Sequence, residues 1–348
     1  MERKNSPSLT AKAIYERLKE AGYPKSYILR LLPEGWDNSF IKTIDGIAQF
    51  TSILNQKIGI NIVFSSGNKI IVEENNELFR FKYLRNTNPY ELTISANIGR
   101  ALSKHAISCI KKDYAQLDSD PMRLRKEILK RSNDEIMTFE LLLDFCWNSG
   151  IPVIFLDDLP RTAKRMTGMA LCVNGRPGIV LGFKNKQTSR QLFVLAHEVG
   201  HIACGHVSLN GILVDESLND VKEAISDVSL IKKDQQEKEA DSFALKLIRG
   251  GIVNPLLEFN SKINSTELAA NAIIKSQELK IDPGHLIISY AKLYDDWTKA
   301  GLAMNFLHNQ DKAINLLEEK FFLYSDLSMI SNENRDFLIS AQGYIAIK

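Results

Sequence analysis

Residues 192–206 read LFVLAHEVGHIACGH and place three of the chain's six histidines in an otherwise apolar stretch. Within it, His197, Glu198 and His201 form an HExxH sequence. Residues four apart share one face of a helix, so both imidazoles can bind one metal ion while the glutamate acts as general base. HExxH arises by chance in roughly 1% of chains of this length, so the motif is informative without being decisive. The spacing predicts a zinc hydrolase in which His197 and His201 are ligands and Glu198 is catalytic.

The residues around the motif are typical of a buried helix. Apolar side chains recur through the stretch, at Leu192, Phe193, Leu195, Ala196, Val199 and Ile202. Gly200 costs about 1 kcal/mol of helix stability relative to alanine. A close approach of another backbone or of the metal site would explain why a glycine is tolerated there. The alternative is a pair of core histidines that bind no metal.

A zinc site of this kind needs a third protein ligand. His206 lies nine positions after His197, whereas the metzincin pattern places its third histidine ten positions after the first. The register therefore excludes a metzincin. We expect His206 to lie at the end of the helix, where the helix dipole favours a cation.

A second helix downstream supplies a better ligand. Glu237 and Asp241 lie four apart within EKEADSFA, residues 237–244, and therefore share one helical face. One carboxylate can bind the metal while the other accepts the Nδ1–H of a ligating histidine. We assign Glu237 as the third ligand and Asp241 as the orienting residue, and we expect Glu239 to point elsewhere. The alternative is an exposed helix start whose acidic residues interact favourably with the dipole.

The bulk composition argues against several classes of protein. A hydrophobic content of 44% and a charged content of 25% fit a globular protein with a core. The net charge of +2 gives the chain as a whole no strong attraction for polyanions. Four scattered cysteines without a CxxC pair argue against a disulfide framework or a thiolate zinc site. We see no signal peptide and no apolar window of about 18 residues, and therefore expect a cytoplasmic protein that does not cross a membrane.

The charges are unevenly distributed along the chain. Residues 161–190 hold seven basic residues and no acidic one, whereas residues 215–241 hold nine acidic and four basic residues. Such runs are most often solvated faces. The alternative is that the basic run 161–190 flanks a cleft and attracts an acidic partner, such as an activating DNA or other nucleic acid.

The hydrophobic patterns predict an α+β fold. Strand patterns occur within residues 60–85 and 151–183, and helical patterns dominate most of the remaining chain. Residues 121–148 read as helical, and residues 207–236 read as a polar loop with a short helix. We divide the chain into a mainly helical N-terminal region with a small β segment (1–115), a metallopeptidase domain (116–250) and a helical C-terminal domain (251–348). The first region would be a scaffold or sensor, and the last a sensor or docking module.

Residues 168–183 read as a β-hairpin with its turn at Asn174–Gly178. One strand, Met169–Val173 or Gly178–Gly182, would present a free edge to an extended substrate, although a purely structural hairpin fits the pattern equally well. Arg190 and His206 are considered for oxyanion stabilisation, since arginine and histidine often serve that role. The alternative is that each is a surface residue. The residues assigned to substrate contact are therefore Met169, Leu171, Val173, Arg190 and His206.

Two of these motifs together resemble the ImmA/IrrE family of bacterial and phage metallopeptidases. The first is AHEVGH at residues 196–201, and the second is the ExxAxxFA helix at residues 237–244. Family members carry an AHELGH-like helix after a short hairpin, and a glutamate three residues before the alanine of AxxFA. That alanine is Ala240 here, so the resemblance also makes Glu237 the third ligand.

The resemblance covers residues 150–250 and is weaker over residues 28–60. In the weaker part, LLPEGWDNSF at residues 31–40 is similar to the LPxWWD stretch of longer members, with Gly35 in place of one tryptophan. The resemblance implies a thermolysin-like zincin core with one zinc ion per chain. The residues that it implies for the site are the ligands His197, His201 and Glu237 and the base Glu198.

Family members cleave a helix-turn-helix repressor encoded nearby, after DNA damage or another stress signal. Cleavage releases a mobile element, a repair regulon or a defence operon. The resemblance thus implies an endopeptidase whose protein partner is such a repressor. Two alternatives stay open. One is a non-catalytic regulator that binds DNA or a partner on a zincin scaffold, which would not need Glu198. The other is a different zinc hydrolase, such as an aminopeptidase.

Overall fold

The described residues form helices and two small sheets, so the fold is α+β, as the hydrophobic patterns predict. The computed structural model describes residues 10–65, 69–74, 79–82, 89–132, 135–183, 186–215, 235–256, 259–308 and 310–345. The helices are α1 (Ala11–Glu20), α2 (Lys25–Leu31), α3 (Ile44–Ile58), α4 (Pro89–Ser108), α5 (Pro121–Ser132), α6 (Phe139–Asn148), α7 (Thr188–Ala203), α8 (Gln235–Arg249), α9 (Ser265–Leu279), α10 (Pro283–Tyr294), α11 (Trp297–Met304), α12 (Ala313–Tyr324) and α13 (Asn332–Ser340). The strands are β1 (Ile60–Ser65), β2 (Lys69–Glu74), β3 (Phe79–Lys82), β4 (Val153–Phe155), β5 (Gly168–Val173), β6 (Arg176–Leu181) and β7 (Ile212–Asp215).

The larger sheet has five strands in the order β3-β7-β5-β6-β4. Strand β5 is antiparallel to both of its neighbours, β6 and β7, while β3 is parallel to β7 and β4 is parallel to β6. The smaller sheet is the antiparallel pair of β1 and β2. The outer strands of the larger sheet are therefore β3 and β4.

This topology corrects the prediction of a free substrate-binding edge on the hairpin. Residues 168–171 of β5 are paired on both sides, with β6 and with β7, and β6 lies between β5 and β4. Met169 and Leu171 are fully buried, and Val173 pairs with Arg176 next to the hairpin turn. A substrate contact of Met169 and Leu171 through an open strand edge is therefore wrong, whereas that of Val173, which lies beyond the residues paired on both sides, stays a prediction.

The hairpin turn is tighter than expected. Val173 pairs directly with Arg176, so only Asn174 and Gly175 form the turn. Both have positive φ angles, of 51° and 79°, which is the backbone of a type I′ turn and explains the Asn-Gly sequence. The predicted turn at Asn174–Gly178 had included the first residues of β6.

Helix α7 carries the HExxH sequence and lies inside the protein. It packs against the strands β5 and β6 and against the helices α6, α8 and α10. Every residue from Gln191 to His201 is buried, which agrees with the apolar body of the stretch. Gly200 explains how α7 and α8 approach each other: a Cβ atom there would lie 3.2 Å from both the Cα and the carbonyl oxygen of Ala240. The expected close approach of another backbone is confirmed.

The structure differs from two predictions of secondary structure, those for residues 121–148 and 207–236. The helical pattern at residues 121–148 forms two helices, because the Thr138 hydroxyl accepts a hydrogen bond from the Leu141 N–H and thereby begins α6. The polar region 207–236 contains β7, which the prediction of a loop missed, while its residues 216–234 lie outside the described part. Strand β7 forms because its apolar residues complete the sheet beside β5, a pairing that local sequence does not reveal.

Buried apolar side chains from Ile14 to Tyr344 belong to one continuous cluster. The division of the chain at residues 115 and 250 stays a prediction. None of the described helices combines the length and the apolar character that a membrane crossing needs.

Candidate metal centre

Three side chains from α7 and α8 converge in a buried group that could hold a metal ion. They are His197 and His201 on α7 and Glu237 in the first turn of α8, with the potential ligand atoms all within 4.8 Å of one another. Both histidines are fully buried, and Glu237 is 8% exposed. Helical spacing brings the imidazoles together, and the packing of α8 on α7 adds the carboxylate.

The distances within this group fit a small tetrahedral cation. Glu237 Oε2 lies 3.5 Å from His197 Nε2, Glu237 Oε1 lies 3.3 Å from His201 Nε2, and the two Nε2 atoms are 2.9 Å apart. Two donor atoms bound at 2.0–2.1 Å to a tetrahedral zinc ion are about 3.3 Å apart. Neutral imidazoles and one carboxylate are also the donor set of many catalytic zinc sites. The residues present therefore fit the metal that the sequence predicts.

The Glu237 carboxyl is held in its charged form. Burial raises the pKa of this carboxyl, but hydrogen bonds and charge interactions with His197 and His201 outweigh burial and hold the pKa well below its usual range. A carboxylate that is deprotonated and buried beside two imidazoles provides the negative charge that a divalent cation requires.

Asp241 lies where the spacing argument places it. Its Oδ1 atom is 2.9 Å from His197 Nδ1, and both side chains are buried. A hydrogen bond at Nδ1 leaves Nε2 of the same ring for a metal ion, and it fixes the orientation of the ring. Asp241 therefore has the geometry of an orienting residue for His197.

Glu198 is the fully buried neighbour of the first histidine. Its carboxylate lies against Gly168, the first residue of β5, where a Cβ atom would overlap Glu198 Oε1. Only glycine at position 168 leaves room for this carboxylate. Strand β5 thus contributes to the site because Gly168 has no side chain and so leaves space for Glu198. This role of Gly168 was not predicted from the sequence.

His206 and Glu239 occupy positions that differ from the predictions. His206 Nδ1 lies 3.0 Å from His201 Nδ1, and His206 Nε2 lies 3.0 Å from Glu239 Oε2. His206 therefore lies behind the candidate ligand His201, and its side chain is only 5% exposed, which argues against a contact with substrate. Glu239 does not point elsewhere on its helix, as predicted, but toward this pair.

The glycine at position 205 is a local sequence signal from which the position of His206 beside His201 could have been predicted. Gly205 follows the end of α7 with a φ of 71°, and the N–H groups of Gly205 and His206 donate to the carbonyls of Ile202 and His201. This is a Schellman motif, which brings the second residue after the C-cap Cys204 back against the last turn. Glycine after a helix therefore predicts contact between His206 and His201.

Arg190 lies away from the metal ligands. Its guanidinium carbon is 5.0 Å from the centroid of the Trp297 ring, and its Nε donates to Gln187 Oε1. Arg190 precedes His197 by seven residues, about 10 Å along the helix axis. Arg190 packs on an aromatic ring at the start of α7, which gives no support to a role in oxyanion stabilisation. Its contact with substrate stays a prediction.

Several residues of the basic run serve the fold itself. Arg165 donates to the carbonyls of Leu156 and Asp157, and Arg176 donates to the carbonyls of Ile110 and Lys112. The guanidinium groups of Arg165, Arg176 and Arg190 therefore each donate hydrogen bonds to other groups of the protein. The interpretation of residues 161–190 as a nucleic-acid surface stays a prediction.

Comparisons with known proteins give no match. No family model matches the sequence, and no curated protein or solved structure matches it significantly. Function is therefore inferred from the chemistry of the site.

Proposed function

We propose that this chain is a zinc-dependent endopeptidase with a zincin-like core. The observation that carries this proposal is the buried group of His197, His201 and Glu237, together with the fully buried Glu198 that follows His197 in the chain. Burying imidazoles and carboxylates that have no function would destabilise the fold. Two histidines and two glutamates in this arrangement are what zinc hydrolysis requires. A zinc ion in such a site polarises a carbonyl group and activates water for hydrolysis.

In this proposal, residues of the chain transfer the proton and position the reacting groups. Glu198 accepts the proton of the attacking water and returns it to the amine of the leaving group, so that one carboxylate acts first as base and then as acid. Gly168 keeps this carboxylate in place by leaving room for it. Asp241 fixes the ring of His197. Burial of all these groups strengthens their electrostatic interactions with a reacting peptide bond.

We further propose a regulatory protein as substrate, on the strength of the sequence resemblance to ImmA/IrrE peptidases. A helix-turn-helix repressor encoded beside this chain is the expected target. Cleavage under stress or DNA damage would then switch on a phage, mobile-element or defence gene, in the cytoplasm.

Substitution of the general base tests this proposal. Glu198→Gln preserves the shape of the side chain but cannot accept a proton, so it should keep zinc and lose cleavage. The assay incubates zinc-loaded protein with the adjacent helix-turn-helix repressor and identifies new termini by mass spectrometry. Glu278→Gln, an exposed acid on α9, is the matched control and should cleave like wild type. A repressor that stays intact with wild type, or equal biological output from Glu198→Gln, would favour a non-catalytic regulator.

A further inference from the structure

We propose that His206 and Glu239 are positioning residues that hold the metal ligand His201 through a two-step hydrogen-bond chain. The proposal rests on the metal site proposed above and adds a function for two residues outside the ligand set. It is carried by two contacts, from His201 Nδ1 to His206 Nδ1 and from His206 Nε2 to Glu239 Oε2, each 3.0 Å long.

The direction of both hydrogen bonds follows from metal binding. His201 presents Nε2 to the other ligand atoms, at 3.3 Å from Glu237 Oε1. A neutral imidazole that binds a metal through Nε2 carries its proton on Nδ1. That proton is donated to Nδ1 of His206, which must then be an acceptor and carry its own proton on Nε2. Because a carboxylate only accepts, Glu239 matches the donor that this tautomer of His206 presents.

Backbone and side-chain contacts hold both members of the chain in place. The backbone N–H of His206 donates to the carbonyl of His201 at 2.9 Å, and so the motif that ends α7 fixes where the second ring lies. The other carboxylate oxygen of Glu239, Oε1, accepts from Gln235 Nε2 at 2.9 Å. Each hydrogen bond therefore joins groups that are already ordered, which lowers the entropic cost of forming it.

The two ligating histidines are thus oriented by different means. Asp241 contacts His197 directly and is 7% exposed at its side chain, whereas Glu239 acts through a ring and is 47% exposed. A third carboxylate buried beside Glu237 and Asp241 would be repelled by both. The intervening neutral imidazole of His206 moves that negative charge to the surface while keeping its orienting effect on His201.

Three substitutions separate the two steps of the chain. His206→Leu removes both hydrogen bonds and should lower zinc affinity roughly ten- to hundredfold, as loss of an orienting partner does. His206→Asn keeps an acceptor at the place of Nδ1 but is too short to reach Glu239, so it should lose less. Glu239→Ala leaves His206 in place without its acceptor and should also lose less. Lys238→Ala, an exposed neighbour on α8, is the matched control and should bind zinc like wild type.

A double-mutant cycle distinguishes a chain from two independent contacts. If Glu239 acts only through His206, Glu239→Ala should have no further effect in the His206→Asn background. Independent roles would instead multiply the two losses. The measurement is zinc affinity of the full-length metal-free protein, by competition with a chelator of known affinity. Thermal unfolding of the same metal-free variants reports whether the fold itself has changed.

Nitrogen-15 NMR of histidine-labelled, zinc-loaded wild type reads the tautomers directly. We expect the proton on Nδ1 of His201 and on Nε2 of His206. A proton on Nδ1 of His206 overturns the proposal. The proposal is also overturned if the zinc affinity of His206→Leu stays within about twofold of wild type. A lower melting temperature as the only change in His206→Leu overturns it too. Zinc that binds wild type and depends on His206, with no peptide cleavage, would refute the peptidase and leave this proposal standing. A wild-type protein that binds no zinc refutes both.

Discussion

At the scale of single residues, the centre depends on a glycine as much as on its titratable groups. The Glu198 carboxylate occupies the space where residue 168 would have a side chain. A general base displaced by about 1 Å can lose a hundredfold in rate, because proton transfer needs a close and aligned contact. In the proposed peptidase, position 168 would therefore control the placement of the base Glu198 without taking part in the reaction.

Gly168→Ala should lower the rate of peptide cleavage roughly a hundredfold while zinc stays bound. The added methyl group overlaps Glu198 Oε1, whereas the ligands belong to α7 and α8. The measurement is kcat/KM for the cleaved protein together with zinc content. Gly178→Ala on the neighbouring strand is the control, since its Cβ would meet other atoms only at 3.7 Å. Wild-type cleavage by Gly168→Ala would show that the base does not depend on this space.

Individual residues of the site also differ in how well the sequence predicts them. His197, His201, Glu237 and Asp241 follow from helical spacing, which is a local property of the chain. Gly168 did not follow from it, because its contact with Glu198 joins a strand to a helix that begins 20 residues later. Long-range contacts of this kind depend on how the elements pack, and no periodicity encodes them.

At the scale of elements, the packing of α7 on α8 brings together the three side chains that could hold a metal ion. The two helices approach closely at Gly200, and α8 supplies Glu237 and Asp241 to the histidines of α7. The sequence predicted both helices and the glycine contact. It missed β7, because three apolar residues in a polar region give too short a pattern to assign without their partner strand.

Gly200→Ala should destabilise the protein by about 1–2 kcal/mol, even though alanine favours a helix by about 1 kcal/mol. The new methyl group would lie 3.2 Å from backbone atoms of Ala240, which cannot rotate away. The two helices must then separate, and zinc affinity should fall with stability. Urea unfolding and chelator competition measure these effects. Gly301→Ala in α11, where nothing lies within 4 Å of the new atom, should instead raise the free energy of unfolding by up to about 1 kcal/mol. Equal effects of the two substitutions would contradict the close packing.

At the scale of the whole molecule, hydrogen bonds connect the C-terminal helix α10 to α7 and α8, the two helices of the candidate metal centre. Arg249 at the end of α8 donates to His285 Nε2 and to Ser289 Oγ on α10. Ser189 at the start of α7 donates to Asp282, which begins α10. The helical nature of this region was predictable from sequence. These polar contacts were not, since each joins residues at least 36 positions apart.

The contact of His285 with Arg249 predicts how stability depends on pH. Burial and the nearby charges of Arg249 and Lys292 hold the pKa of His285 well below its usual 6.5. The folded protein therefore keeps this ring neutral, while the unfolded chain takes up a proton below about pH 6.5. Stability from this group is complete above that pH and is lost as the pH falls.

His285→Gln should remove this part of the pH dependence, because its amide oxygen can accept from Arg249 and does not titrate. Between pH 6.5 and pH 5, wild type should lose about 2 kcal/mol more of its free energy of unfolding than the variant. Urea unfolding at both pH values measures the difference. Identical pH profiles would mean that His285 takes up a proton in the folded protein.

Metal content is the most direct test of the central claim. Mass spectrometry under native conditions should find one zinc ion per chain in wild type and in Glu198→Gln, and little or none in Glu237→Ala. Glu278→Ala, on an exposed part of α9, should retain zinc like wild type. A wild-type chain that stays metal-free after zinc is supplied, or a Glu237→Ala variant that binds zinc equally well, would contradict the assignment of His197, His201 and Glu237 as a zinc site.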